Sequence, residues 1–191
     1  MGAEPGRAHV VVDGWGHVAD ELTAQLRRCA VAVRSGAHAA DVAEAFLPDR
    51  SPSASGAWPD AAAPRAVVVV AHGRPPGWAG APWQARGIPH LPVVAGGDRV
   101  VVGPLVVPGS TACLRCARPA WDVGDRPGCE APGGGLVLAA AVATVTVLAV
   151  LRGDHSLGGI STEIAVEKVS VTHRLWNPRP DCGCAQVRMA G

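Results

Sequence analysis

Tyrosine is absent from this sequence of 191 residues and phenylalanine occurs once, although 48% of the residues are hydrophobic. A core with so few aromatic rings must consist mainly of valine, leucine and alanine. Neither sign of charge is in excess, since 17 basic residues face 16 acidic ones and the net charge is +1. Because nucleic-acid binding depends on a basic surface, this balance argues against a nucleic-acid partner.

The sequence also lacks the marks of secretion and of a membrane span. No charged and then apolar signal peptide precedes the first valine-rich segment, so we expect a cytoplasmic protein. The uncharged run at residues 136–151 is shorter than the ~20 apolar residues that cross a bilayer, and it contains Thr144 and Thr146. We therefore expect a buried helix there and no membrane association.

Strand-like and helix-like segments alternate in the first half of the chain. Strands are predicted at residues 8–12, 31–33 and 66–70, and helices at 20–28 and 39–46. The run at 66–70 is typical of a buried strand at the centre of a parallel sheet. The pattern predicts a single domain over residues 1–191 with a Rossmann-like, doubly wound, mostly parallel α/β sheet.

Antiparallel strands are predicted towards the carboxyl terminus. Residues 91–94 and 99–107 form a predicted hairpin whose turn is Gly96, Gly97 and Asp98, after a short irregular helix within 73–90. Alternation over residues 163–172 predicts one half-exposed strand near the sheet edge. Residues 48–64 and 119–135, which are rich in glycine, proline, serine or aspartate, are predicted loops.

Two close cysteine pairs, Cys113 with Cys116 and Cys182 with Cys184, predict a structural zinc site. Cytoplasmic thiols stay reduced, and four thiolates complete the tetrahedral shell that zinc prefers. Four protein ligands leave no open position for water, which argues against a catalytic zinc. The alternative is a set of unrelated buried thiols.

The remaining two cysteines are given other roles. Cys29, on the first helix, is predicted to be a core residue, and Cys129 a free thiol in a loop. A reactive Cys129 is the alternative, although nothing in the sequence shows what would lower its pKa.

The turn Gly14-x-Gly16-x-x-Ala19 follows the first strand. Such a turn can bring backbone amides and a helix amino end to a phosphate, which makes Gly14 and Gly16 candidate nucleotide-binding residues. No acidic residue for a ribose follows Val33, so a structural turn without nucleotide remains equally open. Asp13 and His17, beside the turn, are expected to be exposed loop residues, and no catalytic residue is predicted.

Two segments carry a family resemblance. The string VVGPLVVPGSTACLRC over residues 101–116, together with PDCGC at 180–184, resembles the ThiF-like proteins of thiazole/oxazole-modified peptide biosynthesis. That family is related to the ubiquitin-activating and ThiF/MoeB adenylating enzymes, and many members present a peptide to a YcaO cyclodehydratase. The resemblance implies a zinc ion on the four paired cysteines, although the second pair has one intervening residue where adenylating relatives usually have two.

Two departures from the family shape the functional expectation. Adenylating members need an aspartate for magnesium after the central strand, but Ala71, His72 and Gly73 follow Val70 here, so we expect no ATP binding. The first strand begins near Ala8, which leaves no room for an amino-terminal recognition module of ~80 residues. Leader recognition is therefore expected on another chain.

The resemblance thus implies a non-adenylating scaffold that presents a ribosomal precursor peptide to a YcaO cyclodehydratase for azoline or azole formation. Its expected partners are the YcaO protein, a leader-recognition protein, the precursor peptide and a second copy in a homodimer. On its own, it would have no activity. The alternatives are an ATP-dependent adenylating enzyme of the ThiF/MoeB type and a zinc-stapled dimerisation module.

Overall fold

The computed structural model describes residues 9–45, 47, 63–73, 75, 78–96, 98–117, 133–165 and 170–185. Its strands are β1 (His9–Asp13), β2 (Ala32–Gly36), β3 (Ala66–His72), β4 (His90–Gly96), β5 (Arg99–Val102), β6 (Ile160–Ala165) and β7 (Ser170–Leu175). Its helices are α1 (His17–Arg28), α2 (Ala39–Ala45), α3 (Ala81–Arg86) and α4 (Gly133–Leu151). A 3₁₀ turn follows at Gly183–Ala185. Cys129 and nearly all of the two predicted loops lie outside the described residues.

The seven strands form one sheet in the order β2-β1-β3-β4-β5-β6-β7. The three pairings among β2, β1, β3 and β4 are parallel, and the three that follow are antiparallel. The predicted carboxyl-terminal antiparallel strands are thus confirmed. The sheet is evenly mixed rather than mostly parallel, because one predicted strand is in fact a hairpin of two.

Alternate strand residues pack on opposite faces of the sheet. Val10 and Val12 of β1 belong to a core shared with α1 and α4, whereas Val11 packs in a second core with α2 and α3. The valine-rich run of β3 is buried on both faces, as expected for a central strand. A third cluster, on the sheet face opposite α4, joins Val94 and Val101 to the four paired cysteines.

Most predicted boundaries differ by a few residues from the observed ones, and three differences are larger. Residues 163–172 do not form one strand, because β6 ends at Ala165 and β7 begins at Ser170. The strand predicted to reach residue 107 stops at Val102, since Gly103 has φ +94° and Pro104 has no N–H to donate to a ladder. Helix α4 begins at Gly133, inside the segment predicted to be a loop.

Helix α4 is long and apolar enough to cross a membrane by length and composition, a criterion that core helices of soluble proteins also meet. In this fold, 56% of its most apolar window is buried against α1 and the sheet. The Thr144 hydroxyl donates a hydrogen bond to Gln25 Oε1 of α1 at 3.1 Å. The predicted helix is confirmed, and one face of it packs in the core, whereas Val137, Leu138 and Val145 are exposed.

Candidate metal centre

A tight turn holds the first cysteine pair. The backbone N–H groups of Cys116 and Ala117 both donate to the Cys113 carbonyl, at 3.0 and 3.2 Å. Just before this turn, Thr111 Oγ1 accepts a hydrogen bond from the Val107 N–H at 2.9 Å, which fixes the approach of the chain. The turn brings the sulfurs of Cys113 and Cys116 to 3.8 Å from each other.

The second pair reaches the first from beyond the edge strand β7. The Cys182 N–H donates to the Arg179 carbonyl at 3.0 Å, and Cys184 lies in the 3₁₀ turn that follows. The sulfur of Cys182 lies 3.7 Å from that of Cys113, and the sulfur of Cys184 lies 3.6 Å from that of Cys116. All four sulfurs lie within 4.8 Å of one another, so they could hold one metal ion.

The sulfur spacing fits a tetrahedral zinc site. Zinc–thiolate bonds of ~2.3 Å in a tetrahedron place neighbouring sulfurs roughly 3.8 Å apart. Three of the six sulfur–sulfur separations, 3.6 to 3.8 Å, match this distance, and all six are within 4.8 Å. The second pair has only Gly183 between its cysteines, and this residue begins the 3₁₀ turn. A side chain at Gly183 would meet no atom within 4 Å.

The surroundings of the four sulfurs favour a closed, structural site. The cysteines are buried beside Val94, Val106 and Trp176. The Trp176 indole N–H donates to Ser161 Oγ at 2.8 Å, which ties this cluster to β6. Donors approach the sulfurs: among them, the Arg179 backbone N–H lies 3.4 Å from Cys116 Sγ, and the Arg115 guanidinium lies 4.0 Å from Cys182 Sγ.

The folded protein shifts the pKa values of three of these cysteines, and not all in the same direction. A hydrogen bond from the Cys184 backbone N–H is the main reason that the pKa of Cys182 falls to about 7. Burial raises the pKa of Cys184 to about 12 and also raises that of Cys113. A divalent cation reverses this burial effect, because a coordinated thiol is deprotonated.

The candidate nucleotide turn has a structural reason for its first glycine. Gly14 has φ +132° and donates its N–H to the Gly36 carbonyl at 3.2 Å. A Cβ at Gly14 would lie 2.5 Å from the Val70 carbonyl oxygen, so β3 can pack this closely only on glycine. Gly16, with φ +89°, precedes the first residue of α1.

The polar residues beside this turn are placed differently from the expectation. Asp13 ends β1 half-buried, and its Oδ1 accepts a hydrogen bond from the Ala40 N–H at 3.1 Å, so it ties β1 to α2 rather than facing solvent in a loop. His17 is exposed, as expected, but it is the first residue of α1.

A contact that the sequence did not indicate lies at the carboxyl ends of β1 and β3. The rings of Trp15 and His72 stack with centroids 4.6 Å apart, and His72 Nε2–H donates to the Trp15 carbonyl at 3.1 Å. Trp15 lies in the turn after β1 and His72 ends β3, so no sequence spacing could have joined them.

The prediction for Cys29 is wrong, because this side chain is exposed. Its spacing from Leu22 and Leu26 places it on the buried face of an extended helix. However, α1 ends at Arg28, and the chain turns through Ala30, whose φ is +59°. The thiol therefore leaves the core-facing side.

No family model and no curated protein matches this sequence. Several solved structures match in fold. A heterocyclase in complex with substrate and cofactor has a TM-score of 0.65 at 15% identity over 95% of this chain. The heterocyclase TruD gives 0.61 at 17% identity over 95%, and Escherichia coli MccB gives 0.65 at 15% identity over 97%.

This chain has the fold of a domain in those proteins. It spans 26% and 28% of the lengths of the two heterocyclases, and 67% of MccB. At these identities the likeness concerns the fold, and the chemistry of this chain has to be argued from its own residues.

Proposed function

We propose that this chain is a non-adenylating, ThiF-like partner subunit that presents a ribosomal precursor peptide to a YcaO-type cyclodehydratase in the cytoplasm. Two findings support the proposal: the resemblance over residues 101–116 and 180–184, and a fold shared with heterocyclases and MccB. We take the helices on both sheet faces to be a Rossmann-like doubly wound arrangement. The ion on the four cysteines is structural zinc, and a separate chain recognises the leader peptide.

The stacked pair of Trp15 and His72 carries the non-adenylating part of this proposal. His72 ends the central strand β3, close to the position where adenylating relatives place the magnesium aspartate. Magnesium prefers oxygen ligands, particularly carboxylates, which an imidazole cannot replace. The His72 ring is also engaged by the Trp15 ring and carbonyl, directly beside the glycine turn.

The second strand, β2, also lacks the acidic residue that would bind a ribose. It ends in Arg34, Ser35 and Gly36, none of which is acidic. Gly14, in turn, is explained by the close approach of Val70 without any phosphate. The exposed Trp15–His72 pair and the close packing of Gly14 on Val70 thus support a chain without an adenylation site at this end of the sheet.

Adenylation remains the second candidate, on one observation. Gly16 supplies no side-chain cap to α1, so the first-turn amides of this 12-residue helix keep donors of the kind that bind phosphate. MccB, which shares the fold, has been solved with ATP. An ATP/pyrophosphate exchange assay with the chain and the precursor peptide, which supplies the carboxylate to be adenylated, separates the two candidates, and we expect no exchange.

A third candidate, a dimerisation module without a pathway ligand, is separated by reconstitution. The chain is mixed with its YcaO protein, leader-binding protein, precursor and ATP, and water loss is followed by mass spectrometry as roughly 18 Da per ring. We expect a faster reaction with the chain than without it, because positioning turns encounters by diffusion into reactions within one complex. Equal rates without the chain, or dehydration by the chain alone, would contradict the proposal.

A further inference from the structure

A cavity of about 250 Å³ lies between α3 and the metal centre. Its walls include Gly80 and Gln84 from the α3 region, Leu114 from the first cysteine turn, and Gly183 from the second. We call this space the knuckle cavity. Ligand pockets for drug-sized molecules measure about 300–1,000 Å³, so this one suits a single amino-acid residue.

The side-chain amide of Gln84, on this wall, has unsatisfied hydrogen-bonding groups. Both its amide nitrogen and its amide oxygen are buried, and neither has a hydrogen-bond partner in the described part of the chain. Its backbone N–H, by contrast, donates to the Gly80 carbonyl at 2.8 Å. Buried amides are nearly always paired, because an unpaired one has lost its water without replacement.

The part of the cavity wall around His90 is held in place by packing. His90 is buried, and its Nδ1–H donates to the Ile88 carbonyl at 3.0 Å. A Cβ at Gly80 would lie 2.7 Å from His90 Nε2 and 2.9 Å from Leu114 Cδ1, so the chain before α3 packs directly on both residues. The cavity is therefore preformed rather than opened by a loop.

The charges around the cavity favour an uncharged occupant. Cys113, Cys182 and Cys184 lie along one side, and four thiolates around a divalent ion have a formal charge of −2, which repels anions. The Arg115 guanidinium, 4.0 Å from Cys182 Sγ, also lines the cavity and offsets part of this charge, so an uncharged occupant meets no repulsion. The rest of the wall is mostly small and apolar.

We propose that the knuckle cavity binds one uncharged residue of a peptide, with its apolar side chain inside and its backbone amide paired with the Gln84 carboxamide. An amide is the complement of a carboxamide, since each offers one N–H face and one oxygen. Gln84 already lines the cavity, and the proposal requires rotation about its last side-chain bonds, because both amide atoms are buried in the absence of an occupant. The identity of the peptide as a precursor rests on the proposed function, whereas binding itself does not.

The test uses the zinc-loaded chain and N-acetyl-leucinamide as the probe. Addition of the probe should shift the side-chain ¹⁵N–¹H resonances of Gln84, which are assigned by their loss in Gln84→Met. The Met variant keeps the length of the side chain and removes the amide, so it should bind the probe about tenfold more weakly. N-acetyl-leucine, which carries a carboxylate, should bind more weakly than the amide to the wild-type chain.

Gln25 provides a matched control. Its amide is satisfied, since Nε2 donates to Glu21 Oε1 at 2.9 Å and Oε1 accepts from Thr144 at 3.1 Å. Gln84→Met should raise the melting temperature of the unliganded chain because it removes an unpaired group, whereas Gln25→Met should lower it. Both variants should keep one zinc per chain.

Two results would overturn the proposal: a lower melting temperature for Gln84→Met, or absence of probe binding at the Gln84 resonances. Either result leaves the proposed function standing if the chain still accelerates cyclodehydration. If the probe binds but the chain has no effect on cyclodehydration, the cavity is a peptide site and the proposed function has failed.

Discussion

The four clustered cysteines lie in one candidate site, but their electrostatic environments differ. Burial disfavours the thiolates of Cys113 and Cys184, whereas a backbone N–H favours that of Cys182. A bound divalent cation would offset the cost of burying these charges, so the metal and the fold should depend on each other.

We predict that Cys113→Ser and Cys182→Ser each lose the zinc ion and much of the stability. Loss of a structural metal lowers the free energy of unfolding by on the order of 4 kcal/mol or more. This corresponds to a fall of roughly 10 °C in melting temperature for a chain of this size. Metal analysis and thermal unfolding measure the two effects. Cys29→Ala is the control, because its exposed thiol should affect neither. A metal-free chain that melts like the wild type would refute the assignment.

His90 makes stability depend on pH. Burial lowers the pKa of His90 from 6.5 to about 4, so the unfolded chain takes up a proton at a higher pH than the folded chain does. The stabilisation is complete above pH 6.5 and is lost progressively as the pH falls towards 4, by about 3 kcal/mol in total.

The His90→Leu variant isolates this effect. Its free energy of unfolding, measured in urea at a series of pH values, should fall less steeply between pH 6.5 and 4.5 than that of the wild type. Effects of acid on zinc retention are common to both chains and cancel in the comparison. Parallel pH curves would show that the pKa of His90 is the same in the folded and the unfolded chain, and would contradict this prediction.

At the scale of an element, helix α4 allows a direct test of whether it is a core helix. Val147 is 1% exposed and faces the sheet, whereas Val145 is 58% exposed on the same helix. We predict that Val147→Glu lowers the free energy of unfolding by about 4 kcal/mol or more, because it buries an unpaired carboxylate. Val145→Glu should change it by less than about 1 kcal/mol. Equal damage from both substitutions would indicate that the outer face is also covered, by lipid or by another chain.

The sequence predicted most elements of the first half because each apolar run there is bounded by a turn or an amphipathic helix. It failed at the β6–β7 hairpin for a physical reason. Ile164 and Val166 precede Glu167 and Lys168, and Val169 and Val171 follow them, so the apolar alternation changes phase at these two charged residues. Residues 166–169, Val-Glu-Lys-Val, include no glycine, proline or asparagine to indicate a turn. At α4, three glycines suggested a loop, but packing of the following residues outweighs their low helix propensity.

For the whole molecule, the arrangement at the carboxyl ends of β1 and β3 leads to a prediction about nucleotide. Millimolar ATP with magnesium should leave the melting temperature unchanged, since a ligand stabilises a protein only by binding its folded state. Differential scanning fluorimetry measures this directly. A rise of several degrees that disappears in Gly16→Ala would favour an adenylating enzyme instead.

The sequence located the four clustered cysteines better than it located their surroundings. Cysteines in two close pairs indicate a site by residue type and spacing alone. The pairing of Trp15 with His72, and the position of Gln84 beside Cys182, depend on how distant segments are brought together by the sheet. No local pattern encodes such contacts, so the structure was needed to find them.

The distance along the chain between the two cysteine pairs has a consequence for the order of events during synthesis. Positions 117 to 181, which are 65 residues, separate Cys116 from Cys182. At ribosomal rates of about 5–20 residues per second, roughly 3 to 13 seconds pass between the appearance of the two pairs. During that interval, Cys113 and Cys116 are only half of the proposed zinc site. They are then able to oxidise, or to bind a metal ion together with two ligands from other molecules. The newborn chain is therefore most vulnerable to oxidants and to competing metals before β6 and β7 have been made.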